Sequence, residues 1–330
     1  MPNKKNSKKA RVSAAAKPVQ TRAMPSADSS RFALYVYWFI ILFFVSATFY
    51  ILGRSYSIVN PPSNNASISE SFAVNMANLS PEERASMAKE YLESGQEKLF
   101  QNNISAISDL TMSIDAEPSV LAYIYRGEAF MAGAQYDNAL ADFTNAARMD
   151  PENPVPYYDG ALVYMRLEKF DDARAALGIA LEMYQRNPSE YLNRHDIYAK
   201  RATVALWAKD WAAAANDYSS AIEISSKKDY LDFAGRAEAF TGMGQFQAAA
   251  TDYLTAITII SETIGDVPAA AEREDMSRNA MAYFEKSGAL HVALNDMEAA
   301  RADLNAAFTL ASSLNDVDAA ARFRDLIEKM

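Results

Sequence analysis

Apolar and polar positions in residues 81–330 alternate with the spacing of amphipathic helices, and these helices recur in pairs about every 34 residues. In the clearest pair, small and large residues follow one another in a fixed order: Gly127, Phe130, Tyr136, Ala139, Phe143, Ala146 and Pro151. The same order starts again at Ala161, Ala202, Ala237 and Gly288, and more weakly at Gly95. The pattern predicts five to six helical hairpins over residues 81–313, which stack because each hairpin alone leaves an apolar face uncovered.

Both ends of this repeat region carry signals for helix boundaries. Ser80 and Glu83 have the spacing of a capping box, and Pro81 stands at the first helical position, so we expect the first helix to begin there. Residues 314–330 place their apolar side chains on one stripe, which predicts a C-terminal capping helix. The stripe consists of Ala319, Ala320, Phe323, Leu326 and Ile327.

A second apolar pattern covers residues 32–53, which contain no charged residue. At 1.5 Å per residue a helix of this length crosses a hydrocarbon layer of about 30 Å. We therefore predict an uncleaved transmembrane helix, followed by a flexible linker over residues 54–80 that contains Pro61 and Pro62. A cleaved signal peptide and a buried helix of a soluble protein are the alternatives.

Charge is distributed unevenly on the two sides of this segment. Residues 1–54 hold nine basic residues and one acid, a net charge of +8, whereas residues 55–330 hold 23 basic and 41 acidic residues, a net charge of −18. The positive-inside rule places residues 1–31 in the cytoplasm as a basic, disordered tail and the repeats across the membrane, most simply in a bacterial periplasm. The acidic repeats exclude nucleic acid as a partner, although the tail could also bind anionic lipid or an acidic protein.

Arginine and aspartate recur together in the helical pairs. Arg126, Arg201 and Arg236 each precede the small residue of a unit, and an aspartate follows each of them 16 residues later, at Asp142, Asp217 and Asp252. The unit with Gly160 in place of arginine has Ala176 in place of aspartate. Because both partners are lost together, we infer that arginine and aspartate bond between the two helices of a hairpin. Asp303, which is paired with Ser287 by this spacing, departs from the rule.

The recurring order of small and large residues that starts at Gly127 resembles the tetratricopeptide repeat, and the resemblance covers about residues 88–313. The resemblance implies an all-α, right-handed superhelical solenoid that presents the first helix of each hairpin on a concave surface. Two spacings depart from the family pattern: 41 residues separate Ala161 from Ala202, and 51 separate Ala237 from Gly288. We expect longer helices or additional turns there.

The same resemblance implies a peptide-binding groove on the concave surface. Its outward positions fall on Leu121, Ile124, Glu128, Met131, Val155, Tyr158, Leu162, Met165, Ala199, Thr203, Leu206 and Trp207. This surface is apolar with an acidic edge, and it lacks the cationic residues with which some family members bind the C-terminal carboxylates of chaperones. The alternative is that several of these side chains pack against neighbouring repeats.

The chain contains few residues of the types that usually act in catalysis. There is no cysteine, and the two histidines are His291, on the packing face, and His195, in a polar spacer where we expect it to be solvated. Gly242 and Gly244 lie between paired helices rather than after a strand, which excludes a nucleotide-binding loop. The sequence predicts no catalytic residue, metal site or cofactor, and therefore not an enzyme.

Together these features predict a non-enzymatic, membrane-anchored scaffold that binds protein segments and aids the assembly or secretion of envelope proteins. One alternative is an organelle-surface receptor whose repeats face the cytosol. Another is a self-associating structural subunit, a homo-oligomer whose groove is filled by a second copy of the chain.

Overall fold

The computed structural model describes residues 79–99, 101, 103–225 and 229–330, which lie in one compact unit, Met76–Met330. The predicted tail, the predicted membrane helix and nearly all of the predicted linker fall outside these residues. The described residues form thirteen α-helices, one short 3₁₀-helix over Ile264–Asp266 and no strand. None of the helices in this part of the chain has both the length and the apolar composition of a membrane span.

Twelve of these helices form six consecutive hairpins. The hairpins are α1 (Pro81–Lys98) with α2 (Asn103–Ala116), α3 (Val120–Ala132) with α4 (Tyr136–Met149), α5 (Val155–Arg166) with α6 (Phe170–Arg186), α7 (Arg194–Trp207) with α8 (Trp211–Ile224), α9 (Tyr230–Gly242) with α10 (Phe246–Thr263), and α11 (Ala270–Ala293) with α12 (Met297–Ser313). The thirteenth helix is α13 (Val317–Glu328). The second helix of each hairpin packs against the first helix of the next, which confirms the predicted all-α solenoid of stacked hairpins.

The first helix begins as its sequence predicts. Ser80 is the N-cap, Glu83 NH donates to its hydroxyl at 3.2 Å, and Ser80 NH donates to the Glu83 carboxylate at 2.8 Å. This bond from the Ser80 backbone lowers the pKa of Glu83.

Small residues let the two helices of a hairpin approach closely. A Cβ atom at Gly127 would lie 2.5 Å from Cε1 of Phe143, so the aromatic ring occupies the space that a larger residue at 127 would need. Ala139 and Ala146 are fully buried on the same helix as Phe143. The alternation of small and large residues along the sequence is therefore a packing pattern between helices.

Longer helices and one additional turn account for the two long spacings between repeats, Ala161 to Ala202 and Ala237 to Gly288. The helices α6 and α10 have 17 and 18 residues, and α11 has 24, compared with 12 to 14 for α3, α4 and α5. The 3₁₀-helix lies between α10 and α11. This agrees with the expectation of longer helices and additional turns.

The C-terminal helix covers the end of the last hairpin. Phe323 is fully buried against Leu304, Ala307 and Ala311 of α12. Other residues of the predicted stripe, Ala319, Ala320 and Ile327, pack against the same cluster. Leu326 departs from the prediction, because it is 38% exposed at the edge of this contact.

The three predicted arginine–aspartate pairs are all formed. Nε and Nη2 of each arginine donate to the two carboxylate oxygens of its aspartate at 2.6–2.9 Å; the pairs are Arg126–Asp142, Arg201–Asp217 and Arg236–Asp252. The aspartates are buried, so each pair satisfies a charge that would otherwise be costly inside the hairpin.

Asp303, the exception to the spacing rule, has a different partner. Nδ1 of His291 lies 2.9 Å from Oδ2 of Asp303 within the buried contact of α11 and α12. The histidine is therefore a core residue, as expected, and it takes the role that arginine has in other hairpins.

A cavity of about 330 Å³ lies beside hairpin α5/α6, where Gly160 and Ala176 occupy the positions of the arginine and the aspartate. Its lining includes Gly160, Ala176, Tyr157, Tyr164 and Thr144. In the preceding hairpin, the guanidinium carbon of Arg126 lies 5.7 Å from the ring centroids of Tyr123 and Phe130, and its Nη1 donates to Thr111. Hairpin α5/α6 therefore has aromatic and hydroxyl side chains like those around Arg126, although position 160 holds glycine instead of arginine.

We predict that Gly160→Arg and Ala176→Asp together restore this pair. The double variant should be more stable than the sum of the two single effects predicts, because Ala176→Asp alone would add an unpaired carboxylate. The coupling energy in a double-mutant cycle measured by urea unfolding should be about 1–2 kcal/mol. The matched control is the cycle of Arg126→Ala and Asp142→Ala, which should show coupling of the same sign; zero coupling at 160 and 176 would contradict the equivalence of the two sites.

Candidate functional site

A cleft of about 680 Å³ lies between α3, α5 and α7, the first helices of three consecutive hairpins. Its apolar floor, which we call the cleft floor, consists of Met131, Leu162, Met165, Phe170 and Trp207. These residues come together because residues three to four positions apart lie on one face of a helix and neighbouring hairpins align those faces. Four of them belong to the predicted groove.

The cleft floor includes an exposed aromatic side chain. Trp207, the last residue of α7, is 51% exposed and packs edgewise on Phe170, with 5.7 Å between ring centroids and 57° between ring planes. Exposed charged side chains of both signs line the rim: Arg166, Glu168 and Lys200. The arrangement offers an apolar surface bounded by polar groups.

The other predicted groove residues have different environments. Val155 and Tyr158 are half-buried against the core of hairpin α5/α6, and Leu206 packs against the core formed by α7, α8 and α9. Leu121 is 38% exposed and outside the cleft. The expectation that Ile124 faces the groove is wrong, since it is only 3% exposed in the packing around α3.

Two acids lie one helical turn before the cleft floor. Glu128 precedes Met131 on α3, and Asp159 precedes Leu162 on α5. Burial raises the pKa of Glu128, and burial together with the charge of Glu128 raises the pKa of Asp159 well above its ordinary value. Oδ2 of Asp159 is buried and makes no hydrogen bond. The acidic edge expected from Glu128 is therefore a pair of desolvated carboxyl groups.

Tyrosines beside these acids are also perturbed. Burial, with smaller contributions from Asp196 and Asp159, raises the pKa of Tyr158 to about 12. Burial, together with Tyr191 and Glu128, raises the pKa of Tyr125. The phenols therefore stay neutral at physiological pH and act as hydrogen-bonding groups.

A second polar cluster joins α7 to α9. Nε2 of His195 lies 2.6 Å from Oδ2 of Asp232, and Nδ1 lies 3.1 Å from Oδ1 of Asp196. Burial lowers the pKa of His195, but the two carboxylates outweigh it and the net change is upward; burial raises the pKa of Asp232 despite the histidine. The expectation of a solvated His195 is wrong, because adjacent hairpins bring the buried carboxylate of α9 against its ring.

Sequence reasoning overlooked several of these residues. Phe170 begins α6 and is not among the predicted groove residues, and neither is Asp159, although it stands next to Tyr158 on the predicted groove face. The contact between His195 and Asp232 spans 37 residues and could not be recognised from local spacing.

A family model matches part of the region that forms this site. Residues 130–193 match the tetratricopeptide repeat. The matched segment runs from the end of α3 to the residue before α7, and it includes Met131, Leu162 and Met165 of the cleft floor. The resemblance seen in the sequence is thus supported over that segment.

Similar solved structures include those of two named proteins, pilF and YrrB. The pilF protein of Pseudomonas aeruginosa is similar with a TM-score of 0.52 and 14% identity, over 73% of this chain and 98% of that chain. YrrB, described as a TPR protein with an unusual peptide-binding site, has a TM-score of 0.49 and 16% identity, over 66% of this chain and 97% of that chain. The likeness to pilF supports the helical-repeat solenoid.

A curated relative matches a smaller part of the chain. RNA polymerase II-associated protein 3 of Xenopus tropicalis is 26% identical over 113 residues, which is 34% of this chain. The matched segment spans 16% of the length of that relative.

Asp159 should make the stability of the repeats depend on pH. Because its pKa is raised in the folded state, the folded chain binds a proton that the unfolded chain releases near pH 4, so stability is highest below that pH and falls as the pH rises through the folded-state pKa. We expect Asp159→Asn to raise the free energy of unfolding at pH 8 by about 1–3 kcal/mol and to change it little at pH 4.

Urea unfolding at the two pH values measures this effect. Asp137→Asn, which changes an exposed acid on α4, is the matched control and should leave the urea midpoint unchanged. An equal effect of Asp159→Asn at both pH values would contradict the assignment.

Proposed function

We propose that this chain is a non-enzymatic scaffold that binds segments of partner proteins in the cleft between α3, α5 and α7. The observation that carries the proposal is the cleft floor itself. Its volume of about 680 Å³ falls within the range of ligand pockets, and its half-exposed tryptophan and two methionines are residue types that are enriched at binding surfaces. Covering Trp207 would remove a large apolar surface from water.

The chemistry around the cleft suggests the kind of segment that binds. A large apolar side chain would occupy the cleft floor, since the lining offers mainly methylene, thioether and aromatic groups. Glu128 lies one turn away on α3 and favours a basic residue on that side of the segment. The net charge of −18 for residues 55–330 would attract such a basic partner.

Membrane anchoring is part of the same proposal, and its support comes from the sequence. Residues 32–53 lack charge, and basic residues concentrate on their N-terminal side. We propose a single span with the N-terminus in the cytoplasm and the repeats in the periplasm of a bacterial inner membrane, where the scaffold aids assembly or secretion of envelope proteins.

Replacing the exposed tryptophan should weaken partner binding without unfolding the repeats. Trp207→Ala is expected to reduce recovery of co-purified partners from detergent-solubilised membranes by about tenfold or more, because buried tryptophan is a frequent hot spot of interfaces. Quantitative mass spectrometry of affinity-purified samples measures the change. Circular dichroism should be unaltered, since half of the side chain is already exposed.

Val317→Ala is the matched control, because this apolar residue is 76% exposed on α13, outside the cleft. Unchanged partner recovery with Trp207→Ala would contradict binding at the cleft. Loss of self-association in light-scattering measurements, with partner recovery unchanged, would instead support the homo-oligomer.

The proposed orientation can be tested by labelling, since the native chain has no cysteine. Glu190→Cys, in the exposed loop between α6 and α7, should react in intact cells with a maleimide that cannot cross the cytoplasmic membrane. Ser13→Cys, in the basic tail, is the control and should react only after that membrane is opened. The reverse pattern would contradict periplasmic repeats and support the cytosol-facing receptor.

A further inference from the structure

Three potential ligand side chains meet where α7 lies beside α9. They are His195, the second residue of α7; Asp229, the N-cap of α9; and Asp232, the third residue of α9. One ring nitrogen and one oxygen of each carboxyl group all lie within 4.8 Å of one another. The cluster thus links two consecutive hairpins with one nitrogen and two oxygen donors.

The second ring nitrogen of His195, Nδ1, also has a carboxylate partner. Nδ1 of His195 lies 3.1 Å from Oδ1 of Asp196, and Nδ2 of Asn193 donates to Oδ2 of the same aspartate at 2.7 Å. Histidine ligands in metal sites usually bond a carboxylate through the nitrogen that does not bind the ion. Asp196 therefore directs Nε2 toward the two carboxyl groups of α9.

The two aspartates are also fixed in place. Asp232 is 2% exposed, and its Oδ2 lies 2.6 Å from Nε2 of His195. Oδ1 of Asp229 accepts a hydrogen bond from Leu231 NH at 2.9 Å, which holds this side chain at the start of α9. Preorganised ligands lose little conformational freedom when an ion binds.

A cavity of about 570 Å³ adjoins the cluster and leaves room for water ligands. Its lining includes His195 and Asp229 as well as Glu272 and Asp275 of α11. Among the described residues that line this cavity none is lysine or arginine, and its acids favour entry of a cation.

We propose that His195, Asp229 and Asp232 bind a divalent transition-metal ion of the Zn²⁺ class, which clamps hairpin α7/α8 to hairpin α9/α10. An imidazole donor favours Zn²⁺ over Ca²⁺ and Mg²⁺, which prefer oxygen ligands alone. Ligand atoms around tetrahedral zinc are about 3.4 Å apart, given bonds of about 2.0–2.1 Å. The ion replaces the proton between Nε2 of His195 and Oδ2 of Asp232, and this proton is released to solvent. Small side-chain rotations bring the donor atoms, which already lie within 4.8 Å of one another, to this spacing.

Titration of the full-length chain with Co²⁺ after treatment with EDTA tests the proposal, because cobalt replaces zinc and absorbs visible light. We expect d–d bands that saturate at one ion per chain, displacement of Co²⁺ by Zn²⁺, and a melting temperature that rises with added Zn²⁺. His195→Gln should weaken Co²⁺ binding by at least about tenfold and abolish the bands, since loss of a ligand exceeds the effect of an outer-shell change.

Two further variants distinguish ligation from folding. Asp229→Asn keeps an N-cap residue as good as aspartate but removes the ligand charge, so it should weaken Co²⁺ binding while the circular dichroism stays unchanged. His291→Gln alters the other histidine of the chain and is the matched control; it should leave the bands intact. Absence of saturable bands in the wild-type chain, or equal Co²⁺ affinity in wild type and His195→Gln, would overturn the site.

Discussion

A helical hairpin of this chain has apolar side chains on two sides, and its own two helices cover only one of them. The remaining side is removed from water only when the next hairpin stacks on it, as the contacts of α2 with α3 and of α4 with α5 illustrate. In the described part of the chain, α13 follows the sixth hairpin and covers the apolar face of α12 through Phe323. The cleft and the histidine cluster both arise from this stacking, because each is formed by side chains from consecutive hairpins.

Polar groups inside the solenoid orient the helices that the apolar contacts bring together. The bidentate bonds between Arg126 and Asp142, and their equivalents, fix the angle of two helices more narrowly than apolar packing does. Where the pair is absent, at Gly160 and Ala176, a cavity remains beside α5. The same hairpin forms the middle wall of the cleft, so a repeat that lacks the arginine–aspartate pair is part of the candidate binding surface.

The fold of the repeats does not require the desolvated acids near the cleft. Asp159 has no arginine partner, and its buried oxygen lies among helices that the stacking would hold together without it. Such a group lowers stability at neutral pH, in contrast to the paired Asp142. Glu128 and Asp159 are therefore acidic groups on this side of the solenoid that its apolar packing does not explain.

The sequence by itself determined the repeating elements. Their periodicity, the small residues such as Gly127, and the joint loss of Arg and Asp at 160 and 176 all record contacts between residues close enough in sequence to recur with each unit. The tertiary structure decided which faces remain open. In the folded chain Ile124 is buried and Trp207 is half-exposed against Phe170. Asp232 lies beside His195, although the two are 37 residues apart in the sequence. These outcomes depend on the offset between neighbouring hairpins, which is set by the summed packing of whole helices and is not encoded in the spacing within any one of them.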